Sequence, residues 1–299
     1  MNKANNDDVR LSIVIAAWNG NESLRQCLAS LKKQTDRAGV EVIVASNFAV
    51  SESGTDVTIR IRLLDEKATV PEIRRDGIAL ADGKIVALVE DHCIFDENWC
   101  KEIKKAHESA DAVIGGSVEN ASADRALDWA VYFYDYGKYM LPAGPGVVDA
   151  LSGLNLSYKR AALDEISATY QNGFFETTVN DELKRRGHAL RLWPAAIVYH
   201  NKTYEFKRAV GHCYHLARSY AAQRISGVSI PKRMLFAAFS LVLPVLLPGR
   251  IVLTTLKKGR NIIALMRSLP FIILLMFIWS YGEFCGYFLG EGKSALEWR

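Results

Sequence analysis

From residue 11 the chain alternates between two apolar rhythms. Leu11–Ala17 (LSIVIAA) is a nearly unbroken apolar run, which predicts a strand buried on both faces. Segment 21–33 then places Leu24, Cys27, Leu28 and Leu31 three and four apart, the spacing of one helical face. Further strands are predicted at 40–45 (VEVIVA), 57–64 (VTIRIRLL), 84–90 (KIVALVE) and 111–117, with helices at 72–81 and 99–107. This alternation predicts an α/β fold with a doubly wound, mostly parallel sheet. In such sheets ligands bind beyond the carboxyl ends of the strands. The polar residues just past Ala17, Ala45 and Val89 are therefore the first candidates for chemistry.

After a loop at 141–146 (LPAGPG), the pattern predicts a strand at 151–158, a short helix at 159–166 and a polar helix at 176–186. Strands at 189–193 and 196–199 close this part. The chain then becomes apolar and helical. Segment 204–224 reads as an amphipathic interfacial helix. Segment 234–247 is apolar but short for a membrane span, whereas 269–289, interrupted only by Glu283, is long enough to cross. The predicted division is a disordered N-terminus (1–10), an α/β domain (11–202), an interfacial linker (203–233), membrane-associated helices (234–290) and a tail (291–299).

Charge sharpens that division. The 299 residues carry a net charge of +4, but from residue 201 onward 14 Lys and Arg face only 4 Asp and Glu, against 23 and 29 before it. The basic residues flank apolar runs and form no stripe in the α/β part. That placement suits an anionic membrane surface and not a nucleic acid. Lys257, Lys258, Arg260 and Arg267 place the loop after the first apolar segment in the cytoplasm, and the earlier basic residues ask for the same side. Both hold if the first segment dips into the membrane and returns. A hydrophobic share of 49 % with 23 % charged residues excludes an intrinsically disordered chain. Five cysteines without a CxxC pair exclude a disulfide framework and a thiolate zinc site, and point to a reducing compartment.

The strand ends hold the candidate chemistry. Glu90-Asp91-His92 follows the apolar run at 84–90 and offers hard oxygen and imidazole donors. His200 ends the last strand and is a further possible imidazole ligand. Glu176 opens a polar helix behind Phe174 and Phe175, where it is either a general base or an acid favoured by the helix dipole. His212 and His215 stand three apart without an obvious third zinc ligand. No GxGxxG follows Leu11–Ala17, which argues against a dinucleotide-binding enzyme.

Several segments in order resemble the family 2 glycosyltransferases of the GT-A fold, over roughly residues 11–200. SIVIAAWNGNESLRQCLASL is similar to the family's opening strand, turn and helix, VEVIVASN to its second strand, and RRDGIALADGKIVALVEDH to the segment leading into its metal-binding strand. GLNLSYKRAAL and FFETTVNDELKRRGHALRLWP are similar to its acceptor-side segments. The resemblance implies a GT-A-like sheet and a nucleotide-diphospho-sugar donor. It places Glu90 and His92 on the family's two metal-binding acids, with Asp91 between them and His200 completing the shell of Mn2+ or Mg2+. It implies donor contacts from Ala17, Trp18, Asn19, Ser46, Asn47, Arg74 and Asp91, sugar or acceptor contacts from Gly153 and Asn155, and Glu176 as the base.

Two departures stand out. The second strand ends Ala45-Ser46-Asn47 without the family's usual base-binding acids, and Tyr220–Arg224 does not match the Gln-x-x-Arg-Trp motif of processive polymer synthases. The aromatic stretch 129–139 either packs as core or stacks on sugar faces. The resemblance implies an inverting, metal-assisted glycosyltransferase. Its acceptor is lipid-linked or membrane-presented, and its catalytic domain faces the cytoplasm. A polyprenyl-phosphate sugar synthase and a catalytically silent GT-A scaffold subunit are the alternatives.

Overall fold

The computed structural model describes residues 10–51, 59–122, 125–225 and 227–297. The predicted N-terminal tail, except Arg10, and the first two residues of the 57–64 strand lie outside them. The chain divides into two compact units, one of residues 1–121 and 139–201, the other of 122–138 and 202–299.

The first unit runs β1 (Leu11–Ala17), α1 (Asn21–Leu31), β2 (Val40–Ser46), β3 (Ile59–Leu63), α2 (Val70–Leu80), β4 (Ile85–Glu90), β5 (Cys93–Phe95), α3 (Trp99–Ala106) and β6 (Val113–Asn120). The helix α4 (Ala126–Asp135) belongs to the second unit. The first unit resumes with β7 (Gly146–Val147), β8 (Asn155–Lys159), α5 (Arg160–Glu165), α6 (Glu176–Arg185) and β9 (Leu190–His200). The strands form one sheet in the order β3-β2-β1-β4-β8-β6-β9-β5, with β7 on β9.

β1 to β4 are mutually parallel, as the strand–helix alternation predicts. β8 enters antiparallel between β4 and β6, and β6 and β9 are parallel. The reversed strand makes the sheet mixed. The two short strands predicted at 189–193 and 196–199 are one 11-residue strand. Its register on β6 shifts between Gly116 and Ser117, so Pro194 to Ala196 are absorbed in a bulge and Pro194 takes no ladder bond.

α2 starts two residues before the predicted 72. Thr69 and Glu72 form a capping box, the Thr69 N–H and Oγ1 both donating to Glu72 Oε2 at 2.7 Å. Gly77 has no side chain to hold α2 off the sheet, and a Cβ there would collide with Val14. This close seat lets α2 carry Arg74 under the carboxyl ends of the strands.

The second unit holds α4, α7 (Phe206–Arg224), α8 (Ile230–Ser240), α9 (Leu243–Lys258), α10 (Ile262–Leu289) and α11 (Ser294–Glu297). The apolar segment predicted at 234–247 is divided between α8 and α9, which meet at a 60° bend. Pro244 falls in the first turn of α9, where its missing N–H costs nothing. α10 is long and apolar enough to cross a membrane. Within the aromatic stretch 129–139, Tyr132 and Phe133 are buried.

Candidate active site

The site is built on one buried cation. Arg74 Nη2 donates to Glu90 Oε1 at 2.7 Å and to the Gly153 carbonyl at 3.2 Å, and Nη1 donates to Glu176 Oε2 at 2.7 Å. α2, the end of β4, the loop before β8 and the first turn of α6 therefore meet at one guanidinium. Burial alone would favour discharging Arg74, but the charges of Glu176 and Glu90 outweigh it and push its pKa up. The planar fork suits two carboxylates better than an ammonium does.

Glu176 is the accessible member of this group, with its side chain about a third exposed (34 %), against 12 % for Glu90. It opens α6, where an acid is favoured by the helix dipole. Gly153 is the residue that lets it approach: a Cβ there would meet Glu176 Cδ and Oε1 at 2.9 Å.

Asp91 serves the turn after β1. Its Oδ2 accepts from the backbone N–H groups of Trp18 (2.9 Å) and Asn19 (2.7 Å), and its Oδ1 from Asn19 Nδ2 (2.6 Å). The carboxylate is fully buried and braces the turn after β1 from within. Ser23 Oγ adds a bond to the Asp91 carbonyl. The Ser46 side chain is likewise spent locally, its Oγ bonding Phe48 O and accepting from Phe48 N. Ala17 is buried and offers only backbone. Trp18, Asn19 and Asn47 are partly exposed at the strand ends, and Trp18 packs with Leu64 and Ala68 against Ala16, Ala45 and Ile73.

Asn155 departs from expectation. It is fully buried, its Nδ2 donates to the carbonyls of Ser117 and Ala196, and its Oδ1 accepts from Trp99 Nε1. It ties the β9 bulge to β8. An Asn opening a buried strand two residues after a Gly gives the same sequence signal as an Asn in a ligand loop.

The expected metal ligands are neighbours but do not converge. Glu90 Oε1 is held by Arg74, and Glu90 Oε2 lies 3.5 Å from His92 Nδ1. The His92 and His200 rings meet edge to face with centroids 4.9 Å apart. Among the described residues no three His, Cys, Asp or Glu side chains are arranged to hold a metal ion. His92 Nε2 is buried without a hydrogen-bond partner among them. As placed, Glu90 is paired to the Arg74 guanidinium and the two imidazoles are in ring contact, so the three side chains do not converge on one point. His215 is bonded to Ser294 Oγ at 3.0 Å and forms no metal set with His212 among the described residues. Beneath the site, burial pushes the Cys27 and Cys93 thiols up, which makes both poor nucleophiles.

Sequence reasoning singled out Arg74, Glu90 and Glu176 separately and missed their union. Arg74 and Glu176 are 102 residues apart, so no local spacing announces the pair.

Residues 12–167 match the family model described as glycosyl transferase family 2. Comparison with curated proteins by sequence gives no match. Among solved structures, the chain is similar to the mannosyltransferase PcManGT from Pyrobaculum calidifontis, solved in complex with GDP-Man and Mn2+. The two share 12 % identity with a TM-score of 0.57, over 92 % of this chain and 86 % of that one, a likeness of fold. The match over more than half of the chain settles its class: it belongs to glycosyl transferase family 2, enzymes that transfer a sugar from a nucleotide-sugar donor.

Proposed function

We propose that this glycosyltransferase inverts the anomeric carbon of a nucleotide-diphospho-hexose and passes the sugar to a hydroxyl of a lipid-linked or membrane-presented acceptor. The observation that carries this reading is Glu176, a part-exposed carboxylate fixed by Arg74 at the carboxyl ends of the strands. Glu176 Oε1 makes no hydrogen bond among the described residues and is the oxygen available to an acceptor proton. As the acceptor oxygen attacks, Glu176 takes its proton, the new glycosidic bond forms, and the bond to the diphosphate breaks with its electron pair. Arg74 holds the carboxylate in line, and Trp18, Asn19 and Asn47 receive the nucleotide end of the donor. Family membership supports the donor class, and the basic, apolar C-terminal unit supports an acceptor held at a cytoplasm-facing membrane surface, where proximity raises its effective concentration.

One observation favours a second reading. Glu176 is already ion-paired, and a polyprenyl-phosphate acceptor, whose nucleophile needs no deprotonation, asks little of it. The test is nucleotide release by detergent-purified protein from UDP-, GDP- and CDP-sugars, with membrane lipid extract, with and without Mn2+. Glu176→Gln and His92→Ala run beside it. Release from one donor class that vanishes in Glu176→Gln supports the hydroxyl acceptor. Release that survives Glu176→Gln assigns the phosphate acceptor. No binding or turnover of any donor leaves a silent scaffold.

A further inference from the structure

The second unit is turned inside out for a water-soluble bundle, and only along one side. On α8 and α9 the buried positions are small or polar (Ala237, Ser240, Pro248, Thr255), while Leu235, Phe239, Val245, Leu246 and Leu253 are exposed. On α10 the exposed residues Ile263, Met266, Ile273, Phe277 and Tyr281 recur three, four or seven apart, one stripe along a helix about 42 Å long at 1.5 Å per residue.

The opposite side of α10 is covered by a helix unsuited to hydrocarbon. α7 runs parallel to α10, from the Phe206–Phe271 ring contact to the bonds Arg224 Nη1 to Tyr287 Oη (2.6 Å) and Arg218 Nε to Gly290 O (2.9 Å). Gly282 and Gly286 set the closeness. A Cβ on either would collide with the carbonyls of Tyr214 and Arg218, and both glycines face Ala217 and Ala221. Along this track α7 carries Lys207, Arg208, His212, His215, Arg218 and Arg224, and residues 206–208 are exposed. If α10 stood across a bilayer over residues 269–289, α7 would stand in the hydrocarbon beside it with these charges, an arrangement strongly disfavoured. Glu283 adds to this. Its carboxylate accepts from Trp279 Nε1 (2.7 Å) and Tyr287 Oη (3.0 Å), a polar cluster on the α7-facing side.

The basic residues complete the pattern. Lys232 and Arg233 sit at the C-terminal end of α10, where Arg233 bonds Tyr287 O, and Lys257, Lys258 and Arg260 sit at its N-terminal end. A spanning α10 would place the two groups on opposite faces of a membrane. A helix lying flat brings both to one anionic surface.

We propose that α10 lies in the plane of one leaflet and does not cross the bilayer. Its exposed stripe and the outer faces of α8 and α9 sink into the acyl layer, α7 remains on the water side, and the basic groups at both ends meet anionic phospholipid headgroups. The inference rests on the membrane association proposed above and is independent of the transfer chemistry.

The experiment adds the full chain to preformed sealed vesicles of phosphatidylcholine with about 30 % phosphatidylglycerol. Single variants Arg260→Cys and Lys293→Cys are treated with a membrane-impermeant maleimide; the five native cysteines are buried, and the unmodified chain sets the background. Equal labelling of both variants before permeabilisation is expected, with binding at least about tenfold weaker on pure phosphatidylcholine. Labelling of either position only after permeabilisation, or equal binding to both vesicles, overturns the proposal. Trypsin added outside to the unmodified chain checks the result without a variant: cleavage at 257–260 and at Lys293 from the same side supports the flat helix, and protection of one end contradicts it. A chain that binds neither vesicle removes the membrane association and this arrangement together.

Discussion

Arg74 Nη1 and Glu176 Oε2 meet at 2.7 Å across 102 residues of sequence, and the same guanidinium holds Glu90 through Nη2. Removing the cation leaves two carboxylates facing each other, Glu90 among them with little water to screen it. Arg74→Ala is expected to lower stability by about 3–5 kcal/mol in urea unfolding, as for a buried pair that loses one partner. Arg74→Lys restores charge but not the fork, so it should recover most of the stability and little of the turnover. Equal stability of wild type and Arg74→Ala would remove the cluster's structural role.

Gly153 tests position without touching charge. A methyl group there meets the Glu176 carboxylate at 2.9 Å, so Gly153→Ala must displace it. The expected result is a fall of about 10–100-fold in kcat with donor Kd nearly unchanged, measured by nucleotide release and donor titration. A loss confined to donor affinity would place Gly153 in the donor site instead.

How much of this was legible varies with the range of the interaction. β1, β2 and β4 were plain because each is a near-continuous apolar run. The capping box at Thr69 and Glu72 was also present in the sequence, and reading it would have started α2 two residues earlier. Three features lacked any local signal. The reversed β8 follows a loop, not a crossover helix, and apolar alternation is blind to strand direction. The aromatic helix α4 joins the second unit although sequence order places it inside the first. The bonds that Asp91 and Asn155 make to backbone groups had no local signal either, because buried polar side chains that satisfy the backbone are of the same residue types as those of binding sites.

His107 gives a pH prediction independent of catalysis. Ser157 Oγ donates to Ile114 O, so His107 Nε2–H donates to Ser157 and Nδ1 stays bare and buried. Burial pushes this imidazole down from 6.5 to about 4. Between these values the unfolded chain binds the proton more tightly than the folded one. The contribution is therefore fully present above pH 6.5 and is lost as pH falls toward 4. Urea midpoints followed from pH 7 to pH 4 should drop in the wild type and drop less in His107→Gln, and parallel curves would dismiss the assignment.

Gly282 and Gly286 govern the second unit. Gly282→Leu forces α10 away from the Tyr214 carbonyl and is expected to cost about 1–3 kcal/mol. Limited proteolysis should then cut faster within α7 to α10, while the first unit keeps its native protection. Unchanged proteolysis would mean that α7 and α10 are not in contact through these glycines.

The central claim is that Glu176 removes the acceptor proton. The direct measurement is single-turnover sugar transfer to the lipid-extract acceptor by wild type and Glu176→Gln at saturating donor, with donor Kd measured alongside. The account predicts that transfer falls by at least about 100-fold with Kd within about twofold. Transfer at the wild-type rate in Glu176→Gln would contradict it.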